Sequence, residues 1–254
     1  MNLRARSAIF AIVVLASAAK AGPPFVTDDP DPVDYRHWEV YIASQGLHDP
    51  SGGSFTAPQL EANYGALPNL QLHVIAMTEL DEPAGGSRPY GYSTTELGAK
   101  YRLVEESASV PEIGIFPLVE VPGGNSSRGL GSPHTPVYLP LWLQKTFGKW
   151  TTYGGGGYWF NPGPGNRGYW FTGIVVQRQV RENLAIGLEV FHQTSQQIAA
   201  KSTTNTNLGF VWDLSETEHI MASAGPTIQG ASGYETYVAI QWTFGPKESP
   251  PAKP

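Results

Sequence analysis

Ten charged residues fall in stretches where apolar residues recur at every second position: Glu39, Glu61, Glu96, Lys100, Arg102, Glu112, Glu120, Arg178, Glu189 and Asp213. Charges arranged on one face of a set of strands can line a lumen and fix the polarity that a passing solute meets. They can equally tie into a network that fills and stiffens a small barrel. Carboxylates outnumber bases in this set, so an anion is disfavoured beside it.

Other chemistry-bearing groups are weaker. Asp28, Asp29, Asp31 and Asp34 form an acidic run with His37 nearby. Hard cations such as calcium take oxygen ligands of this kind, but the run lacks the order of an EF-hand loop and two prolines stiffen it. A solvated periplasmic lead-in, or a short plug entering a lumen, fits it better. None of the six histidines (His37, His48, His73, His134, His192, His219) forms an HExxH motif. His192 and Ser195 are the nearest approach to a hydrolase dyad, but no third group orients them as nucleophilic catalysis requires. The Gly-rich stretches 124–131 and 154–157 do not join a strand to a helix, so they do not read as phosphate cradles. In strand context, 154–157 reads as close packing, sharp curvature or access to the lumen. No catalytic residue, metal site or cofactor is expected.

Composition narrows the classes. Charged residues are 15% and aromatics 11%, with 29 Gly, 22 Pro and no Cys. A highly charged disordered chain is excluded, as are disulfide scaffolds and thiolate chemistry. A formal charge of −6 argues against nucleic acid as a partner. Residues 1–21 read as a signal peptide: basic Arg4 and Arg6, an apolar run from Ala8 to Ala19, and Ala19-Lys20-Ala21 at a cleavage site. No later stretch is long enough for a membrane helix. Entry into a membrane must therefore be by strands.

The elements that position these residues read as strands. Tyr234, Thr236, Val238, Ile240, Trp242 and Phe244 alternate with Glu235, Tyr237, Ala239, Gln241 and Thr243. Leu184, Ile186, Leu188 and Val190 alternate with Asn183, Ala185, Gly187 and Glu189. This period of two recurs along the chain. It gives about twelve strands, near 37–46, 54–65, 70–80, 91–105, 110–121, 135–147, 150–160, 167–180, 183–193, 204–215, 219–229 and 234–244. The connections at 66–69, 106–109, 148–149, 181–182 and 216–218 are short. Those at 47–53, 81–90, 122–134 and 194–203 are longer, and 161–166 is intermediate.

Alternate short and long connections mark a closed antiparallel up-and-down transmembrane barrel. Closure is forced in lipid, where each unpaired backbone group costs several kcal/mol. Trp38, Tyr64, Tyr101, Phe147, Trp150, Trp212, Trp242 and Phe244 cluster at the short-turn end and read as an aromatic girdle. Alternation by itself does not say which face is inside, and a soluble ligand-binding barrel would bury the apolar one. The many charges and glycines of the polar face would make a poor dry core, which favours the membrane version. Pro58, Pro117, Pro140 and Pro226 fall inside expected strands and point to bulges or a local gap in the ladder.

Gly22–Pro30, Tyr35-Arg36-His37-Trp38-Glu39, Thr95–Arg102, Gly114–Pro117 and Lys145–Trp150 through Gly154–Asn161 resemble a family of Gram-negative outer-membrane proteins. It is the MetA-pathway of phenol degradation family, whose members are often labelled transporters. The resemblance implies an outer-membrane β-barrel that passes aromatic or other hydrophobic compounds. The Pro-rich tail at 245–254 departs from barrels that end on a terminal aromatic.

The organisation expected is therefore a signal peptide (1–21), a periplasmic lead-in (22–36), a barrel (37–244) and the tail. The leading function is a narrow channel for small solutes. The alternatives are an outer-membrane lipid-modifying hydrolase and a secreted soluble barrel. The expected partners are outer-membrane lipid, a small solute and the barrel-assembly machinery, with the barrel acting as a monomer.

Overall fold

A computed structural model describes residues 24–85 and 87–246. The expected signal peptide and most of the Pro-rich tail lie outside the described residues. The strands are β1 (Trp38–Asp49), β2 (Gly52–Leu67), β3 (Leu70–Pro83), β4 (Tyr90–Val104), β5 (Glu112–Ile115), β6 (Leu118–Val121), β7 (Val137–Phe147), β8 (Trp150–Phe160), β9 (Tyr169–Arg181), β10 (Leu184–Gln193), β11 (Thr203–Asp213), β12 (Glu218–Gln229) and β13 (Tyr234–Phe244). Each pairs antiparallel with its neighbours, and β13 returns to β1 with Trp38 opposite Phe244 and His48 opposite Tyr234. β5 and β6 are two halves of one stave between β4 and β7. The result is a closed barrel of 12 staves.

The prolines account for the irregularities. Pro117 has no N–H, and it falls between β5 and β6, where the stave is broken. On the facing strand, β7 pairs with β6 at Val137 and Tyr138 and with β5 from Leu141, leaving Pro140 beside the break. Pro58 sits in the register shift between Thr56 and Gln59 of β2. Pro226 lies near the end of β12, opposite Tyr234.

The connections mostly keep their alternation. Residues 68–69, 148–149, 182–183 and 214–217 close one end, while 84–89, 122–136, 161–168, 194–202 and 230–233 close the other. Two differ from the sequence reading. The loop expected at 47–53 is nearly all strand, leaving Pro50–Ser51 as the turn. The short turn expected at 106–109 widens to 105–111, where Lys145 reaches Glu106 at 2.9 Å and also donates to the Ser107 carbonyl.

The two faces have inverted polarity. Gln59, Glu61, Asn63, Gln71, His73, Lys100, Gln144, Gln177, Glu189, Asn207 and Gln241 are buried on the inside. Ile42, Leu60, Leu72, Leu97, Leu141, Ile174, Leu188, Leu208, Val238 and Ile240 are exposed on the outside. A soluble ligand-binding barrel requires the opposite arrangement.

The expected girdle residues stand on this outer surface. Trp38, Tyr101, Phe147, Trp150, Trp212 and Phe244 are exposed, and Tyr64 and Trp242 are half-buried. Trp38 packs on Tyr64 with ring centroids 4.5 Å apart. The sequence reading missed a second group at the long-loop end: Tyr90, Tyr92, Phe160, Trp170 and Tyr234. In β8 the two groups are marked by Trp150 and Phe160. At about 3.3 Å per residue and a tilt near 40°, they stand roughly 25 Å apart along the barrel axis, the height of an apolar band in lipid.

Candidate functional site

The interior is divided by the segment before β1. Pro24, Phe25, Thr27, Asp29, Pro30, Pro32 and Val33 are buried, so this stretch is packed within the wall. Glycines on the inner face provide its seat. A Cβ at Gly187 or Gly209 would come within 2.8 or 2.9 Å of the Phe25 ring. One at Gly173 would meet Thr27 Oγ1 at 1.9 Å, and one at Gly114 would meet Pro30 at 2.9 Å.

Polar groups then fasten the segment. The Thr27 N–H donates to Glu189 Oε1 at 2.6 Å, and the Val33 N–H donates to Gln71 Oε1 at 2.9 Å. Ser223 Oγ donates to the Pro24 carbonyl at 2.5 Å. Lys100 Nζ lies 2.9 Å from Asp28 and 3.5 Å from Asp29, and Arg102 lies 3.0 Å from Asp31. Burial holds the Asp29 carboxyl well above the ordinary carboxylate range, with the Lys100 charge offsetting only part of the rise. Three of the four aspartates of the acidic run are thus engaged by β4. Among the described residues no cluster of acids and histidines has a metal-holding arrangement.

Next to the plug is a cavity of about 450 Å³. That volume lies within the usual range of about 300–1,000 Å³ for small-molecule sites. One side is acidic: Glu39, Glu61, Glu96, Glu120 and Glu235 line it. His73 stands among these acids, 3.1 Å from Glu96, 3.7 Å from Glu61 and 2.6 Å from Asn63 Oδ1. An aromatic stretch of wall adjoins it: Phe116, Tyr138, Trp142, Trp159, Tyr169 and Phe171. Tyr138 stacks on Trp159 at 4.7 Å and 8°, and Trp159 lies nearly parallel to Tyr169 at 6.0 Å.

The glycine run of β8 makes room for this wall. Gly155 sits across from Trp142 with φ at +152°, and a Cβ there would lie 2.1 Å from the Leu141 carbonyl oxygen. A second, polar cavity of about 600 Å³ opens at the long-loop end. It shares Glu120, Trp159 and Tyr169 with the first.

The ten charges of the sequence reading are therefore sorted by the fold. Glu39, Glu61, Glu96, Glu120 and Lys100 line the cavity. Glu189 faces inward but is fully buried, holding the plug and accepting from Asn207 Nδ2 at 2.8 Å. Arg102 and Glu112 lie 3.5 Å apart below the cavity, with Arg102 also held by Asn69. Asp213 is at the short-turn rim, 2.7 Å from His219 Nδ1.

Arg178, expected to line the lumen, does not face it. It is exposed on the outer surface, opposite Trp150, with its guanidinium 5.1 Å from that ring. Phe171, Val175 and Gln177 are the buried positions of β9, so Arg178 has the opposite parity. His192 and Ser195 have other partners: His192 contacts Thr204 Oγ1 at 2.9 Å, and Ser195 donates to the Gln197 carbonyl.

The sequence reading missed the aromatic wall. Its signal was present in Tyr138, Pro140, Trp142 and Gln144, a period-two row in β7 that is buried throughout. Leu139, Leu141 and Leu143 on the other face have the same apolar character, so the row did not stand out.

No protein-family model matches the chain, and no curated protein matches it in sequence. Solved structures do match in fold. An outer-membrane channel from Pseudomonas putida F1 superposes with a TM-score of 0.62 at 15% identity, covering 84% of this chain and 99% of that one. The KdgM porin gives 0.56 at 13% identity, covering 81% and 99%. The CymD monoaromatic hydrocarbon channel gives 0.50 at 7% identity, covering 84% and 90%. The shared feature is the closed antiparallel barrel.

Proposed function

We propose that this chain is an outer-membrane barrel of a Gram-negative bacterium, acting as a monomer, that passes small solutes through a narrow lumen. Aromatic and other hydrophobic compounds are among those solutes. The observation that carries the reading is the inverted polarity of a closed sheet around a cavity. The exterior is leucine, isoleucine and valine between two aromatic zones, and the interior is carboxylate, amide and aromatic. A surface of that kind is stable against acyl chains and not against water.

The plug argues for a narrow path rather than a general porin, because it occupies the centre of the barrel and leaves space to one side. The likeness in fold to outer-membrane channels supports the reading, as does the resemblance of residues 22–39, 95–102 and 145–161 to the MetA-pathway of phenol degradation family. The girdle assignment fits the same picture, with one aromatic zone at each interface.

Planar-bilayer recording of the purified, refolded protein tests it. The expected result is discrete steps of low conductance. A fully folded barrel that gives no steps, and whose deletion leaves solute uptake unchanged, would contradict the proposal.

A further inference from the structure

We infer that the outer surface of the barrel binds one anionic phospholipid at its short-turn end, with Arg178 on the phosphate and an acyl chain laid along β8. The inference rests on the outer-membrane reading, in which short turns are periplasmic and this end meets the inner leaflet.

The first support is a cation set in an apolar surface. Arg178 is exposed on the outer face of β9, with Val176 and Val180 exposed on either side of it along the strand. Across the ladder it pairs with Trp150 of β8 and Ile186 of β10, both exposed as well. A lipid-facing charge is costly at the midplane and far less so at the interface, and Trp150 belongs to the aromatic zone that marks the interface. The guanidinium lies over the Trp150 ring, 5.1 Å from its centroid. Held against an indole face, it keeps its N–H edge free, and that planar fork matches two oxygens of a phosphodiester.

The second support is the charge around it. Lys149 is exposed in the β7–β8 turn, and its carbonyl accepts from the Gln179 N–H at 2.9 Å, which places it beside the residue after Arg178. Arg181 is exposed at the end of β9. None of these three cations has an ion-pair partner among the described residues. One acid, Glu182, follows in the β9–β10 turn, while Lys145 at the end of β7 is taken up by Glu106. Basic groups near the membrane surface attract anionic lipid, and the same cations repel the ammonium of a zwitterionic head group.

The third support is a place for the chain. Gly154 and Gly156 are outward positions of β8. A Cβ there would lie 2.4 Å from the Gly173 carbonyl oxygen or 2.2 Å from that of Phe171, so neither position accepts a side chain. Leu143 and Leu141 on β7 and Ile174 on β9 stand exposed on the two sides. The result is a shallow apolar furrow leading from the Trp150 end toward the middle of the apolar band. A cation at the interface with a furrow running inward from it fits a phosphate with its acyl chain.

Refolded protein in detergent is titrated with phosphatidylglycerol or phosphatidylcholine of identical acyl chains, and bound lipid is counted by native mass spectrometry. Heat-modifiable gel migration verifies that each variant is folded. The expected result is one phosphatidylglycerol retained at a severalfold lower concentration than the first phosphatidylcholine. Arg178→Gln weakens phosphatidylglycerol binding about fivefold, the contribution of one basic residue at an anionic surface. Arg178→Lys recovers only part of the loss, because an ammonium keeps the charge without the planar fork. Arg128→Gln makes the same change of net charge in the exposed 122–136 loop at the other end and leaves binding at the parent level. Glycerophosphoglycerol, the head group without acyl chains, leaves the lipid bound.

Equal retention of the two lipids, an equal loss in Arg178→Gln and Arg128→Gln, or displacement by the bare head group overturns the site and leaves the membrane reading standing. Folded protein that stays soluble without detergent and retains neither lipid overturns the membrane reading, and this site with it.

Discussion

Lys100 shows what single residues do here. Its side chain is 6% exposed and its two partners are both on the plug, Asp29 being fully buried. Removing one member of a buried pair leaves an uncompensated charge, at a cost of about 3–5 kcal/mol. The plug can escape that cost by leaving the lumen. Lys100→Met is therefore expected to raise single-channel conductance and to expose the 24–33 segment to added protease. Adding Asp28→Asn and Asp29→Asn to the same protein is expected to restore the narrow state. Unchanged conductance in Lys100→Met would show that the pair does not hold the segment.

The residue scale was partly legible in the sequence. Most of the charged set does face inward, because period-two alternation fixes a side chain's face wherever the two faces differ in polarity. Arg178 shows the failure. Thr172, Ile174 and Val176 share its face, while Phe171, Gly173 and Val175 form the other, so both faces of β9 are apolar and neither declares itself. The engagement of Glu189 and Lys100 with the plug was not legible either. Alternation along a strand carries no information about a segment lying across it.

At the scale of elements, inner-face glycines are sockets. Gly173, Gly187 and Gly209 come from three successive strands and together seat Phe25 and Thr27. Replacing Gly187 and Gly209 together by valine puts methyl groups where the Phe25 ring lies. The double variant is expected to conduct severalfold more than the parent protein, with an unchanged heat-modified gel shift. Phe25→Ala in that background is expected to bring conductance back down. A double variant that conducts like the parent would place the plug elsewhere. The strands themselves were readable from alternation, and their ends from turn residues. The 105–111 turn and the divided β5–β6 stave were less so. Both depend on contacts between adjoining strands, Lys145 with Glu106 in the first and prolines 117 and 140 in the second.

The whole molecule is a membrane protein only if its apolar surface meets lipid. Leu208 is 63% exposed on the outer face of β11. Arginine there is expected to cost about 2–4 kcal/mol for refolding into vesicles, as for a charge near the midplane on a lipid-facing strand. The cost is read from urea titration of the folded fraction. No measurable loss would mean that this face is in water. The barrel and its closure were legible from the sequence because lipid permits no open sheet edge. The interior was not, since plug, cavity and aromatic stack arise from side chains brought together from distant strands.

The most direct measurement uses the absence of native cysteine. Single cysteines at Ile42, Leu188 and Leu208 outside, and at Gln45, Gln59 and Glu96 around the cavity, each carry one fluorophore in the refolded protein. Vesicles are then made with lipids brominated along the acyl chain. The account predicts strong quenching at the first three positions and little at the second three, with the pattern inverted for a water-soluble quencher small enough to enter the lumen. Equal access of the aqueous quencher to both sets would contradict it.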